Sequence, residues 1–508
     1  MATVEIHGPK LPGKRKYLGG APTLEGDALL GVPAHATAVL KLELATGAVT
    51  LDESGNLRSP RTRDGKFKWL RGVRAGSAIY CIPACGDGVL KIEPATGEQR
   101  VLGRGELPTG EWMWHGAALG RDGNIYAIPA NAERVLKIEP APIDRVSLVG
   151  PRLHPGLKNK WYGGIRAEDG SIWGMPFNAP SALKITPETG AIEEVGAFGR
   201  GGYKWHGGTR SGAYIVAIPS HALSVLVIET ATGKCELLPT GVGGVGYQWG
   251  GAVTDADGVV WAVPSDSTFV LKISPGRSSE VALIGGLSAI RNKWQGGVLG
   301  RDGNVYCMPC DASAVLCIHP KSSALSLHGE LGDSRHKFQG AYGDPATGII
   351  WSLPESFEHI MKIVPPAHAD GDGAVAGAID TWASTSTVGE AARRVQRCHR
   401  RRVGARKVAP PGSALPNGLS SLERASALRL AAAALPASGR PRLAACSRAL
   451  FHGLLCDERG GRPGAAAAVV PTRADARALR GAHRRRLSAS WLAASGALYR
   501  SVAGAAAA

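Results

Sequence analysis

The sequence predicts an all-β fold: an eight-bladed β-propeller of four-stranded blades. Three observations carry this. Tyr-Ile-Pro-like tripeptides end on Pro33, Pro83, Pro129, Pro176, Pro219, Pro264, Pro309 and Pro354, at intervals of 50, 46, 47, 43, 45, 45 and 45 residues, and a period of about 40–50 residues marks a ring or array of supersecondary units. Within each unit the apolar runs are short and bounded by Gly, Pro or Asx, as strands are. Residues 1–366 contain no amphipathic helical pattern of useful length.

The third unit shows the elements in order. A first strand leaves Trp114 and ends at the turn Asp122-Gly123, where Gly accepts positive φ and Asp braces the turn. Ile125 to Ile128 form the second strand, Val135 to Ile138 the third and Val146 to Val149 the fourth. The turn recurs as Asp169-Gly170, Asp257-Gly258 and Asp302-Gly303. The third strand recurs in every unit, from Val39-Leu40-Lys41-Leu42 to Ile360-Met361-Lys362-Ile363; its Lys is expected to face out and its aliphatic residues the next blade. The last unit stops at Pro366 without a fourth strand, while residues 3–7 offer a spare one that resembles Leu325 to His328. Those residues are therefore expected to complete the last blade and close the ring, removing its open edges.

Composition divides the chain in two: a propeller domain over 1–366 and a tail over 367–508. The tail holds 22 of the 59 Lys and Arg but 8 of the 42 Asp and Glu, so it carries +14 and the propeller +3 of the total +17. Rich in Ala, Gly, Pro and Arg, the tail reads as a disordered low-complexity extension. Its clusters Arg400-Arg401-Arg402 and Arg484-Arg485-Arg486 offer polyanion contact as the functional alternative. No run of about 18 apolar residues predicts a membrane span, and the first residues lack the layout of a secretory signal. Nine scattered Cys fit a reducing compartment, hence a cytoplasmic location.

A second repeated motif, Lys-Trp-x-Gly-Gly, opens each first strand. Lys occupies its first position in six units: Lys16, Lys68, Lys160, Lys204, Lys293 and Lys337. Gly there lets eight strands crowd the axis, and the aromatic residue is expected to wedge between blades. The Lys side chains either form a positive ring that attracts an anion or lie along the Trp faces. The x position varies as a one-sided pocket varies: Leu18, Leu70, His115, Tyr162, His206, Trp249, Gln295 and Gln339, with the register of Trp249 open by one.

A second variable position, two residues after the repeat Pro, reads His35, Cys85, Asn131, Asn178, His221, Asp266, Asp311 and Ser356; short polar residues there also make Asx and Ser turns. The ligand-binding set read from these positions is Lys68, Lys160, Tyr162, Lys204, His206, His221, Lys293 and Gln295. His206, His221 and Asp266 are the candidate metal or acid–base group. Cys307 and Cys310 form a single CxxC pair. No phosphate loop, nucleophile elbow or zinc-protease helix motif occurs in the propeller.

Units of the form Asp-Gly-x-Ile-Tyr-x-Ile-Pro followed by Val-Leu-Lys-Ile-x-Pro-x-Thr-Gly, as in residues 76–97 and 122–140, resemble the repeats of NHL-type and virginiamycin B lyase-like propellers. Regucalcin-like propellers are a more distant likeness. The resemblance spans residues 3–366 and implies the fold. The lyase-like repeats carry a Trp-Phe-Thr-Glu-like second strand whose acid is absent from most blades here; Glu355 is the one acid beside a repeat Pro. No catalytic residue carries over, and no cofactor is assigned. The function expected is a noncatalytic scaffold binding a protein or anionic small ligand at the motif face. A metal-assisted lyase or hydrolase and a multivalent glycan or small-ligand binder are the alternatives.

Overall fold

A computed structural model describes residues 1–366 apart from 56, 58–66 and 245; the expected disordered tail lies outside the described residues. Thirty-two strands form eight antiparallel sheets of four, each sheet one blade. The blades run over residues 17–52, 69–102, 114–149, 161–195, 205–239, 249–284, 294–328 and 342–364, in chain order from inner to outer strand. No helix among the described residues is long and apolar enough to cross a membrane.

The eighth blade closes as its missing strand requires. Thr3–His7 pairs antiparallel with Ile360–Val364, Thr3 opposite Val364 and His7 opposite Ile360. Lys362 Nζ meets Glu5 Oε2 at 3.0 Å across this pair, and His7 Nε2 lies 2.7 Å from the Gly47 carbonyl of the first blade.

Blades adhere through apolar clusters, one between each neighbouring pair. Trp114 with Ile125 and Leu136 of the third blade meets Tyr80, Ile82 and Val89 of the second. Tyr17, Leu29 and Leu40 of the first blade meet Trp351, Leu353 and Ile360 of the eighth, so the ring is continuous. The motif aromatic sits in each cluster, as a wedge. Its indole N–H is also satisfied: Trp69, Trp114, Trp161, Trp205, Trp249 and Trp294 donate to the carbonyls of Gly88, Arg134, Ser181, Ser224, Phe269 and Ala314 at 2.6–3.0 Å. Each acceptor lies just before the third strand or begins it, so one side chain ties the inner strand to the middle of its own blade while filling the gap to the next.

The inner strands approach at glycine. A Cβ on Gly116 would lie 1.5 Å from the Gly163 carbonyl oxygen, and one on Gly164 would lie 2.6 Å from the Ala117 nitrogen. No side chain fits that gap. The third-strand Lys41, Lys137, Lys184, Lys272 and Lys362 lie on the more exposed side of buried aliphatic neighbours, as expected, and Lys91 alone of the third-strand Lys is buried. Lys184 and Lys272 lie over Trp173 and Trp261 at 5.5 and 5.2 Å, and Lys91 is buried between Glu93 and Asp144 at 2.7 and 2.8 Å. Each stands opposite an aromatic of the second strand, so the aliphatic stem covers the ring instead of extending into water.

Two outcomes follow from this packing. Deleting residues 1–8 exposes the edge of Ile360–Val364 and lowers the melting temperature; an unchanged curve would overturn the closure argument. Trp205→Ala empties the cluster formed with Trp173, Met175 and Ile215 and costs about 3–5 kcal/mol in urea unfolding, whereas Trp205→Phe keeps most of the ring and costs clearly less.

Candidate functional site

The motif does its first work through its backbone. The peptide N–H at the Lys position donates to the carbonyl of the residue that follows the repeat Pro of the preceding blade. All eight junctions have this bond, from Lys16 to Glu355 and Met113 to Ala84 at 2.7 Å to Gln248 to Ser220 at 3.3 Å. The Lys side chains then enter the same loops. Lys68 Nζ donates to the carbonyls of Ala34 and Ala36 at 3.2 and 2.8 Å. Lys204 Nζ reaches those of Ala179, Gly199 and Gly201, each at 2.9 Å, and Lys293 Nζ those of Ser265 and Ile290 at 3.1 and 2.9 Å. Lys16 reaches Gly13 and Phe357, Lys160 reaches Leu157, and Lys337 reaches Ser334.

Five of the six Lys are buried and Lys204 is half-buried. Burial lowers Lys16, Lys68, Lys160, Lys204 and Lys293 from 10.5 to about 8 and also lowers Lys337. Those five remain largely ammonium ions at neutral pH, held by carbonyl oxygens. Lys68, Lys160, Lys204 and Lys293 of the predicted set therefore lie below the surface of the motif face.

The register of the sixth blade is settled by pairing. Trp249 stands opposite Pro264, as Trp294 stands opposite Pro309. Trp249 is thus the motif aromatic, Gln248 replaces the Lys and Gly250 is the x residue.

The x residues and the residues after each Pro sort into three sectors around the inner strands. Leu18, Ala34, Leu70 and Ala84 form an aliphatic sector. His115, Tyr162, Phe177, His206 and Tyr247 form an aromatic one, with Tyr162 4.3 Å from His115 and 5.3 Å from His206 between ring centroids. A polar sector follows: Gln295 Nε2 donates to Ser265 Oγ and to Asn292 Oδ1 at 2.9 Å each, and Gln339 Nε2 donates to Glu355 Oε2 at 2.5 Å. Tyr162, His206 and Gln295 are buried at 1, 1 and 3 % exposure, so they form the floor of the face. Burial holds His115 well below the usual imidazole range and Tyr162 well above the usual phenol range, both therefore neutral near pH 7.

The rim position serves the neighbouring blade. Side-chain oxygens of Asn131, Asn178, Asp266, Asp311 and Ser356 accept the N–H of Asn159, Tyr203, Asn292, His336 and Arg15 at 2.7–3.1 Å. His221 is half-buried, its ring 5.4 Å from Tyr247, which His206 approaches at 5.3 Å. Both imidazoles thus surround one phenol ring, but with Asp266 they do not group as metal ligands. Among the described residues the three-ligand group is Cys310, His336 and Glu355, with ligand atoms within 4.8 Å of one another. Cys307 does not join Cys310 in it; both are buried, and neither is in a disulfide.

The residues receiving those rim bonds were missed by sequence reasoning. The position just before the motif Lys is left-handed in seven blades: Arg15, Phe67, Trp112, Asn159, Tyr203, Asn292 and His336 have φ of 48–58°. Asn visits this region readily, but an aromatic residue there is strained by about 1–2 kcal/mol. Phe67, Trp112 and Tyr203 are nevertheless half-exposed on the motif face. Phe67 lies 5.1 Å from Trp112 and 4.3 Å from His35, with the Arg15 guanidinium 5.8 Å from its centroid. The signal was present in the sequence as a variable position one residue before the motif.

The buried Lys make a pH-dependent contribution. Their folded pKa lies below the unfolded 10.5, so between about pH 8 and pH 10.5 the unfolded chain binds more protons and the Lys term in stability rises with pH. In urea unfolding, the stability of the parent relative to Lys160→Met should therefore increase from about pH 7.5 to about pH 10. A gap independent of pH would refute the depressed titration.

No protein-family model matches the chain, and no curated protein matches it in sequence. Solved structures show a distant similarity to it. A streptogramin B lyase structure aligns with 72% of this chain and 97% of its own at 14% identity and a TM-score of 0.46. A catalytically inactive variant of virginiamycin B lyase from Staphylococcus aureus, crystallised with quinupristin, aligns with 72% of this chain and 100% of its own at 14% identity and a TM-score of 0.47. Kuenenia stuttgartiensis hydrazine synthase aligns with 72% of this chain and 99% of the other at 10% identity and a TM-score of 0.42.

Proposed function

We propose that this propeller is a noncatalytic cytoplasmic scaffold that binds an anionic ligand or an acidic protein segment at the Lys-Trp-x-Gly-Gly face. One observation carries the reading. Phe67, Trp112 and Tyr203 occupy left-handed backbone positions that Asn fills in other blades, and they leave part of their rings in water. Asn would serve the loop at lower cost, so the aromatic side chains are retained for what they touch. Strain of this kind concentrates where a surface is used, and aromatic rings supply contact area with little rotamer entropy.

Charge supports the anionic partner. The Arg15 guanidinium, ion-paired with Glu355, stands beside Phe67, and the buried ammonium groups lie in the loops beneath the face. Their carbonyl partners prevent direct ligation but do not cancel their charge, so they raise the potential at this face. Tyr162, His206, His221 and Gln295 shape the floor and wall on which such a ligand rests.

The test separates binding from folding. Isothermal titration of the full chain with a panel of acidic peptides and small organic anions should yield ligands that bind the parent. Phe67→Asn with Trp112→Asn should weaken them at least about tenfold (roughly 1.4 kcal/mol) while the melting temperature stays within a few degrees. Equal binding by the double variant, or a panel with no binder, would reject the face as the site. Chemical conversion of a bound panel member would reject the noncatalytic assignment.

A further inference from the structure

Three chemically active side chains from separate parts of the chain meet between the seventh and eighth blades. Cys310 follows the seventh repeat Pro, Glu355 follows the eighth, and His336 precedes the inner strand of the eighth blade. Their ligand atoms all lie within 4.8 Å of one another, with Cys310 Sγ 3.9 Å from His336 Nδ1. A tetrahedral metal about 2.3 Å from sulfur and about 2.0 Å from nitrogen holds those atoms roughly 3.5 Å apart, so a small contraction completes the site.

The surroundings are those of a prepared site. Asn292 Nδ2 donates to Cys310 Sγ at 3.0 Å and fixes the sulfur in place. Asp311 Oδ1 accepts the backbone N–H of His336 at 2.8 Å and lies 3.9 Å from its Nδ1, fixing where that imidazole sits. Arg15 holds Glu355 Oε1 at 3.1 Å, leaving Oε2 to the amide of Gln339. A second observation is a polar atom left over beside Glu355. Gln339 Oε1, on that same amide, is a buried acceptor without a hydrogen-bond partner, and burying such an oxygen unsatisfied costs about 1–3 kcal/mol.

We propose that Cys310, His336 and Glu355 bind one borderline-soft divalent ion of the zinc class, which clips the seventh blade to the eighth. Sulfur and imidazole select this class over magnesium or calcium, which take oxygen ligands. Binding exchanges the thiol proton for the metal: the S–H bond breaks, the proton leaves to solvent and the metal–sulfur bond forms, with no change of oxidation state. The charges facing the ion are the Cys310 thiolate, Glu355 and Asp311 on one side, and Arg15 and Lys337 on the other.

The experiment uses the full chain, stripped with a chelator and titrated with cobalt(II) alone, then zinc(II) in competition. The expected result is one cobalt per chain, a thiolate-to-cobalt charge-transfer band, release of a proton and a raised melting temperature. Cys310→Ser should abolish the band, and His336→Gln should weaken cobalt binding at least tenfold, with circular dichroism unchanged in both. Should Cys310→Ser unfold, His336→Gln carries the test with the same criterion. Absence of the band in the parent, or an undiminished band in folded Cys310→Ser, overturns the site.

Discussion

Every blade begins by donating a peptide N–H to its predecessor, from the motif Lys position to the carbonyl after the preceding repeat Pro. The other motif features follow from that bond. To reach the carbonyl, the chain turns sharply, and in seven of the eight blades it does so with a left-handed residue immediately before the Lys position. The rim residue of the preceding blade caps the N–H that this turn presents. The inner strands are then so close that only glycine fits at the crossing. The Trp behind them fills the wedge-shaped space that the rotation between blades leaves open. A propeller held by side chains alone would tolerate slippage between blades; a directional bond at each junction, with its donor and acceptor both at risk of burial, fixes the spacing.

The Lys also makes physical sense in this frame. The connecting loops carry carbonyls that no strand can pair, and a buried carbonyl without a donor is costly. One ammonium group offers three donors on a long flexible stem, enough to satisfy two or three such oxygens in loops of different length. Where the loop at the third and sixth blades makes other arrangements, Met113 and Gln248 take the place. Met or Leu at all eight positions would spare the desolvation of a charge but leave the loop oxygens unpaired.

The ring was legible because its signals are local. Prolines at a steady period, Asp-Gly turns and a spare first strand require no knowledge of tertiary contacts, and the observed pairing of Thr3–His7 with Ile360–Val364 matches them. The destinations of the Lys were harder to read, because their partners are backbone atoms in loops of another blade and leave no trace in side-chain identity. Trp249 was misplaced by one because Gln248 lacks the Lys that marks the register elsewhere; its pairing with Pro264 was the safer guide. The rim Asx residues were read as bracing their own turns, yet their oxygens reach the next blade. Cys310, His336 and Glu355 share no sequence spacing at all, since the ring brings them together across the last two blades.

What breaks the eightfold pattern is then the place to look for function. The latch, the wedge and the crowded glycines recur in nearly every blade and therefore serve the ring. The x residues and the left-handed residues are held by the same backbone everywhere but differ in chemistry from blade to blade. That backbone would accept Asn, small or aliphatic residues throughout. Instead an aliphatic sector, an aromatic sector and a polar sector succeed one another around the axis. Repetition removes the geometric reason for such differences, so the differences belong to the ligand side of the face. Their distribution gives the surface an aliphatic flank beneath Phe67 and Trp112, an aromatic one around Tyr162 and His206, and a polar one beside Gln295 and Gln339, an asymmetry that would orient a partner on a nearly symmetric ring.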